Sequence, residues 1–451
     1  MESHHDSMRL IFKAPPGEEP FAVNVPLSKS VAARALLIAA AAGDDPADVW
    51  PAGREMSEDV NIIYLAACKI WRALRGPRDP KRYRESYSAP WGAIDIHDSG
   101  TAKRLLTAWF ACMPGARITL RQSERLAARP LGQLPELLRK IGGGTVREGS
   151  DSAGRYIAIE GRAARGISMY MPVEAGISSQ IITALLLPAF SMPLGLKLRL
   201  LPPVVSASYI EMTARLLTEC RAPVEFDSET GRISASPSRP VLPSGRSLME
   251  ADWSSASYFY EYVALARRSL HIPSLTLDSV QGDSRCARLF ARLGVATEER
   301  DGGITLTPVP VEARELTADM SSTPDLVPAL AVTCAMLGIP FRFSGVAHLR
   351  VKECDRVEAL IANLRLFGLE AESGTDSLVL QPPVCPVFPT APIAVYGDHR
   401  MAMSFAPAAV RFPGIVISNP AVVGKSFPEY WACMRQAGIT SSGSCPPSHK
   451  K

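Results

Sequence analysis

Lys29 and Arg34 flank an otherwise uncharged apolar run, Val31–Ala42, with Ser30 beside them. A solvated helix face would carry more polar company, so these two cations read as facing a ligand. Asp398-His399-Arg400-Met401 opens a second apolar run, where an unpaired charge would be costly to bury, and Arg400 reads the same way. Arg350–Arg356 is denser, with Lys352 and Arg356 four apart and Glu353 and Asp355 between them. Such a cluster is either the exposed, ion-paired start of a helix or part of a site. Arg125 and Arg129, also four apart, share one face if their segment is helical, though Pro130 limits how far that helix can run. Lys425 lies in Val-Gly-Lys-Ser-Phe-Pro, which lacks the glycine spacing of a P-loop. Asp325, beside Pro324, is either a helix cap or a buried carboxylate base. Several cations with two carboxylates suit a small substrate bearing phosphate and carboxylate groups, with acid–base chemistry between them.

The elements that must position these groups recur. A short Ser, Thr, Asp or Gly turn followed by an Ala- or Leu-rich run appears at Ser28-Lys29-Ser30, Ser99-Gly100-Thr101 and Ser178-Ser179. It returns at Ser254-Ser255, Ser321-Ser322-Thr323 and Gly397-Asp398, at intervals of roughly 70–80 residues. Any one such start is ordinary N-capping. Six at regular spacing divide the chain into six units, and free N–H groups at converging helix starts would make a strong anion site. Strand-like runs at Ile118–Leu120, Tyr156–Ile159, Leu196–Leu200, Ile304–Leu306 and Ser377–Leu380 alternate with second helices near Leu134–Ile141, Ile210–Thr218, Ala287–Leu293 and Arg356–Phe367. This alternation predicts an α/β (α+β) protein whose nearly all-apolar first helices lie inside, with sheets packed outside them.

Bulk composition narrows the class. The chain has 451 residues, 47% hydrophobic and 21% charged, which fits a globular protein of two or three domains. Its net charge of +4 is weak for a nucleic-acid binder. Nine Cys without a CxxC pair and seven scattered His fit reduced thiols better than a disulfide framework or a zinc site. No apolar run reaches the roughly 20 residues that span a membrane, and Met1–Pro20 lacks the apolar core of a signal peptide. The expectation is a cytoplasmic monomer acting on small molecules, with no metal, cofactor, nucleic-acid or membrane partner.

Nine ordered motifs, spanning Pro26 to about Tyr430, resemble the 5-enolpyruvylshikimate-3-phosphate synthase family of enolpyruvyl transferases. They are Pro-Leu-Ser-Lys-Ser-Val-Ala-Ala-Arg-Ala-Leu-Leu (26–37), Ser-Gly-Thr-Ala-Lys-Arg-Leu-Leu-Thr-Ala (99–108), Arg-Leu-Ala-Ala-Arg-Pro-Leu-Gly (125–132), Ser-Ser-Gln-Ile-Ile-Thr-Ala-Leu-Leu (178–186), Ala-Asp-Trp-Ser-Ser-Ala-Ser-Tyr-Phe (251–259), Thr-Pro-Asp (323–325), Arg-Val-Lys-Glu-Cys-Asp-Arg (350–356), Asp-His-Arg-Met-Ala-Met (398–403) and Lys-Ser-Phe-Pro-Glu-Tyr (425–430). The resemblance implies two similar domains, each of three βαβαββ units: residues 1–27 with 251–451, and residues 28–250, with the active site in the cleft between them. It implies transfer of the enolpyruvyl group of phosphoenolpyruvate to the 5-hydroxyl of shikimate 3-phosphate, by addition and elimination through a tetrahedral intermediate. Carried over residue by residue, Lys29, Gly100, Arg125, Gln180, Arg356, Arg400 and Lys425 would hold phosphoenolpyruvate. Lys29, Ser30, Arg34, Ser178, Ser179, Gln180, Ser206, Tyr209, Asp325 and Lys352 would hold shikimate 3-phosphate. Asp325 would take the hydroxyl proton, Glu353 with Lys425 would manage the proton at the methylene carbon, and His399 would assist. The alternatives are the related UDP-N-acetylglucosamine enolpyruvyl transferase, which carries a general-acid Cys in a loop, and a non-catalytic metabolite-binding relative.

The chain departs from the family pattern in places. Asp98 stands where Asn is common and Lys103 where Met is frequent, and the two are expected to pair. His348 replaces a common Asn or Glu, and Ala207 removes a frequent Lys beside the acceptor phosphate. The basic stretch Trp71–Trp91 lies outside every motif and reads as a solvated loop.

Overall fold

The computed structural model describes residues 7–15, 19–75, 92–176, 179–244 and 247–441. The chain forms two compact units, Lys29–Met249, and Met1–Ser28 together with Glu250–Lys451.

In the unit Lys29–Met249, three Ala/Leu-rich helices are buried: α1 (Lys29–Ala42), α2 (Gly100–Cys112) and α3 (Ser179–Leu186). Such sequences have high helix propensity but no polar face, so they are stable only when covered on every side. Helix α1 packs on Glu58–Arg75 and Ala207–Glu219, and α2 packs on α3. Two sheets cover the helices. One has the order Gly92–Asp95, Arg117–Gln122, Gly154–Glu160, Thr145–Asp151, and the other Ile167–Glu174, Leu196–Leu201, Arg232–Ala235, Val224–Asp227. In each sheet the first pair is parallel and the others antiparallel, the signature of a βαβαββ repeat. Ahead of these two repeats lie the helices Lys29–Ala42, Pro46–Val49 and Glu58–Arg75, and no strand of this unit precedes Gly92 among the described residues. Trp71–Arg75 is the last turn of a helix rather than a loop, and 76–91 lies outside the described residues.

In the other unit the buried helices are α4 (Trp253–Ala266), α5 (Val327–Leu337) and α6 (His399–Phe405), with α4 on α5 and α5 on α6. Its sheets run Val295–Arg300, Gly303–Pro308, Leu270–Pro273, Phe21–Ala22; then Leu316–Asp319, Phe341–Ser344, Ser377–Leu380, Ala371–Ser373; then Val416–Ser418, Ser7–Phe12, Ile439–Ser441. The N-terminal segment supplies strands to two of the three, which explains why this unit is discontinuous in sequence. The expected α/β class with buried helices and outer sheets is what the chain adopts. Proline stands at the ends of two of these helices. Pro407 lacks an N–H, so α6 yields at Phe405 to the 3₁₀ turn Ala406–Val410, and Pro188 lies just beyond the end of α3.

Glu261 on α4 is fully buried, and neither carboxyl oxygen has a hydrogen-bond partner among the described residues. Burial holds its carboxyl well above the ordinary value. The folded state therefore keeps a proton that the unfolded chain releases from about pH 4.3 upward, so this group's contribution to stability falls as pH rises, by about 1.4 kcal/mol per pH unit. Glu261→Gln should remove that slope and raise the melting temperature at neutral pH. Melting curves of the two proteins that run parallel from pH 5 to pH 9 would contradict this.

Candidate active site

In the unit Lys29–Met249, Lys29 and Ser30 stand in the first turn of α1, partly exposed. The Lys29 ammonium reaches Asp59 at 2.8 Å. Arg34, one turn on, is buried at 3% exposure and donates to Thr213 Oγ1 (2.8 Å), Thr183 Oγ1 (3.2 Å) and the carbonyls of Ser30 (2.7 Å) and Tyr209 (3.3 Å). Burial lowers its pKa to about 10, still far above neutrality. Ser206, ahead of the helix Ala207–Glu219, holds a left-handed backbone with φ 54°. For a residue other than glycine that conformation is strained, and it is a common mark of functional loops.

The starts of α2 and α3 meet. Ser99 caps α2 by accepting from Ala102 N at 3.2 Å. Gln180 in the first turn of α3 accepts from Arg104 at 2.9 Å and donates to Thr101 at 3.4 Å. Ser179 is buried beside it, and Ser178 lies outside the described residues. Gly100 has no side chain where the Arg129 guanidinium lies: a Cβ there would sit 3.0 Å from Nη1 and 3.2 Å from Cζ. The cation against Gly100 thus belongs to Arg129 and not to Arg125, which is 46% exposed and 3.6 Å from Asp98. The shared helical face fails because the helix Glu124–Ala127 stops short of Arg129, as expected for a residue preceding proline. A cation directly before a proline, with Gly132 two residues further on, was the signal available in the sequence. The expected Asp98–Lys103 pair is absent. Asp98 accepts from Ser123 and faces Arg125, whereas Lys103, a full turn into α2, points toward Leu126, Arg129 and Glu148.

In the other unit, Arg356 is the hub. It opens the helix Arg356–Leu366, capped by Asp355, and is buried at 2% exposure. Its Nε contacts Asp398 at 2.7 Å, Nη1 contacts Asp325 at 2.9 Å and Nη2 contacts Glu353 at 2.8 Å. Burial alone would depress its pKa, but the carboxylates of Asp398, Glu353 and Asp325 override that and hold it up. Burial would raise Asp398, yet Arg356 wins and keeps its pKa below the ordinary value. The ion-paired reading of Arg350–Arg356 therefore holds for Arg350, which is half-buried and pairs with Asp355 and Glu358, and the exposed reading fails for Arg356.

Asp325 sits in the 3₁₀ turn Pro324–Leu326 that leads into α5, and its second oxygen meets Arg400 at 2.8 Å. Arg400 also reaches Tyr258 Oη at 3.4 Å. Lys425 lies 3.8 Å from Glu353, and His399 lies 3.9 Å from Asp398. Burial lowers the Lys352 pKa, with Asp325 opposing that. His348 is buried, its Nε2 has no partner among the described residues, and burial with Lys352 nearby pushes its pKa to about 4, so the ring is neutral at physiological pH. Four cations (Lys352, Arg356, Arg400, Lys425) thus surround three carboxylates, an arrangement suited to an anion and to proton transfer within reach of it. Asp398, Tyr258 and Arg129 are the groups of these clusters that residue-by-residue reasoning passed over as site members. Among the described residues no His, Cys, Asp and Glu cluster could hold a metal ion, and no helix is long and apolar enough to cross a membrane.

The sequence pattern of the EPSP synthase (3-phosphoshikimate 1-carboxyvinyltransferase) family matches residues 20–434. The chain is 35% identical over 441 residues to a 3-phosphoshikimate 1-carboxyvinyltransferase of Bacteroides fragilis, covering 96% of this chain and 98% of that protein. It is 30% identical over 448 residues to the protein of the same name from Methanosphaerula palustris, with 96% and 98% covered. The solved EPSP synthase of Acinetobacter baumannii shares the fold with a TM-score of 0.69 at 21% identity, covering 96% of this chain and 99% of that one.

Proposed function

The chain belongs to the EPSP synthase (3-phosphoshikimate 1-carboxyvinyltransferase) family, and from that premise we propose which of its groups carry out the reaction. The enzyme transfers the enolpyruvyl group of phosphoenolpyruvate to shikimate 3-phosphate and releases phosphate. In our reading the 5-hydroxyl of shikimate 3-phosphate attacks C2 of phosphoenolpyruvate while Asp325 takes the hydroxyl proton. Glu353, with Lys425 beside it, delivers a proton to C3, giving a tetrahedral intermediate with a methyl group. Loss of a C3 proton and cleavage of the C2–O bond to phosphate then form the product. The observation that carries this assignment is the single buried guanidinium of Arg356, which holds both carboxylates, Asp325 and Glu353, at fixed positions.

Lys29, Gly100, Gln180, Arg356, Arg400 and Lys425 hold phosphoenolpyruvate in this account, with Arg129 in place of Arg125. Ser30, Ser178, Ser179, Ser206, Tyr209 and Lys352 hold shikimate 3-phosphate, and Arg34 acts through the Ser30 and Tyr209 carbonyls that it anchors. His399 supports Asp398. In this account the enzyme works as a cytoplasmic monomer. Arg129→Ala should raise KM for phosphoenolpyruvate about tenfold or more, while Arg125→Ala stays within about twofold. The reverse order would return the role to Arg125.

The UDP-sugar reading needs a reactive loop Cys. Cys112 is the last residue of the buried helix α2 and its pKa is pushed up to about 12 by burial. Phosphate release from phosphoenolpyruvate should therefore depend on shikimate 3-phosphate and not on UDP-N-acetylglucosamine. Turnover with the UDP-sugar alone would overturn the assignment.

A further inference from the structure

Lys103 stands in the first full turn of α2 with a side chain at 0% exposure. An ammonium has three N–H donors, and here it meets three acceptors: the Arg129 carbonyl at 2.7 Å, the Leu126 carbonyl at 3.2 Å and Glu148 at 3.3 Å. The next residue continues the pattern, since Arg104 donates to the Pro130 carbonyl at 3.3 Å and to the Gly100 carbonyl at 3.2 Å. Two consecutive cations of α2 thus hold the carbonyls of Arg129 and Pro130, the segment that lays the Arg129 guanidinium against Gly100.

This arrangement is unfavourable by charge alone. Burial lowers the Lys103 pKa, and Arg104 and Arg129 push the same way, with Glu148 offsetting only part of it. A neutral apolar side chain would fill the space without that electrostatic cost, but it would leave the Arg129 carbonyl without its short bond. The geometry explains what an ammonium does here that a hydrocarbon chain would not.

We propose that Lys103 is a positioning residue for phosphoenolpyruvate: through the Arg129 carbonyl it fixes where the Arg129 guanidinium stands, so that affinity for the enolpyruvyl donor, and not for the acceptor, depends on it. This rests on the reading above in which Arg129 holds phosphoenolpyruvate. It predicts that Lys103→Met raises KM for phosphoenolpyruvate about tenfold, while kcat and KM for shikimate 3-phosphate stay within about twofold.

The test is a double-mutant cycle on the full-length enzyme, with Lys103→Met, Arg129→Ala and the double variant assayed against both substrates. If Lys103 acts through Arg129, the double variant has the same KM for phosphoenolpyruvate as Arg129→Ala alone. Effects that multiply, or equal rises in KM for both substrates, would overturn the proposal and leave Lys103 a purely structural residue. An Arg129→Ala variant with unchanged KM would sink the reading of Arg129 itself. A raised KM in Arg129→Ala with an unchanged KM in Lys103→Met would sink only the present inference. Should Lys103→Met show no cooperative melting transition, Lys103→Leu, which likewise has no N–H donor for the Arg129 carbonyl, carries the same cycle with the same criteria.

Discussion

Asp325→Asn should lower kcat by about 10²–10⁴-fold, the usual contribution of a positioned general base, while KM for each substrate changes only a few-fold. The amide keeps the shape of the carboxylate and one acceptor oxygen, but it cannot take the hydroxyl proton. The position is well determined. The turn Pro324–Leu326 sets Asp325 at the head of α5, and its two oxygens meet two different guanidiniums, Arg356 at 2.9 Å and Arg400 at 2.8 Å. Those cations are the ones assigned to phosphoenolpyruvate, so the base is fixed beside its reaction partner by the same groups that bind that partner. Normal turnover at saturation with a large rise in KM would show that Asp325 binds and does not catalyse.

Arg356→Ala should be the most destabilising of the site substitutions, by about 3–5 kcal/mol, because it leaves buried carboxylates without their counter-charge. Asp398 is completely buried, and Asp325 and Glu353 are each 13% exposed. The pH dependence has a definite sign. With its pKa held below the ordinary value by Arg356, Asp398 contributes stability above its unfolded pKa of about 3.9, and that contribution is lost as pH falls through the lower folded value. Without the guanidinium, burial dominates and the carboxyl rises instead. The variant should then gain stability from pH 7 toward pH 4, where the parent's Asp398 contribution stays nearly constant. Denaturant titrations from pH 7 to pH 4 distinguish the two, and a variant that follows the parent curve would contradict this account.

Much of this was legible locally. Four of the buried helices begin within two residues of the expected runs, α4 begins at Trp253, three residues early, and α5 follows a short 3₁₀ turn, because small polar caps before Ala- and Leu-rich runs act within a few residues. What local spacing leaves open depends on contacts far apart in the chain. Spacing alone does not decide between an exposed and a site role for Arg356, since nothing near it in sequence reveals that Asp325 and Asp398, 31 and 42 residues away, close around it. Arg129, and not Arg125, lies against Gly100 because the helix Glu124–Ala127 stops short of the residue that precedes Pro130. Asp98 and Lys103 carry opposite charges five residues apart, yet one precedes α2 and the other lies a turn inside it, so their side chains leave in different directions. The discontinuity of one unit was legible only through family resemblance. Its physical cause is that Ser7–Phe12 and Phe21–Ala22 complete sheets begun by strands more than 200 residues later.

The central claim is addition and elimination onto shikimate 3-phosphate, with protons moved at the methylene carbon of phosphoenolpyruvate. The direct test is the reaction in D₂O, followed by NMR and mass analysis of the product. A tetrahedral intermediate bearing a methyl group loses one of three C3 hydrogens, so the account predicts deuterium in the enolpyruvyl methylene of the product, dependent on shikimate 3-phosphate. Product formed without deuterium at that carbon, or no product at all, would contradict it.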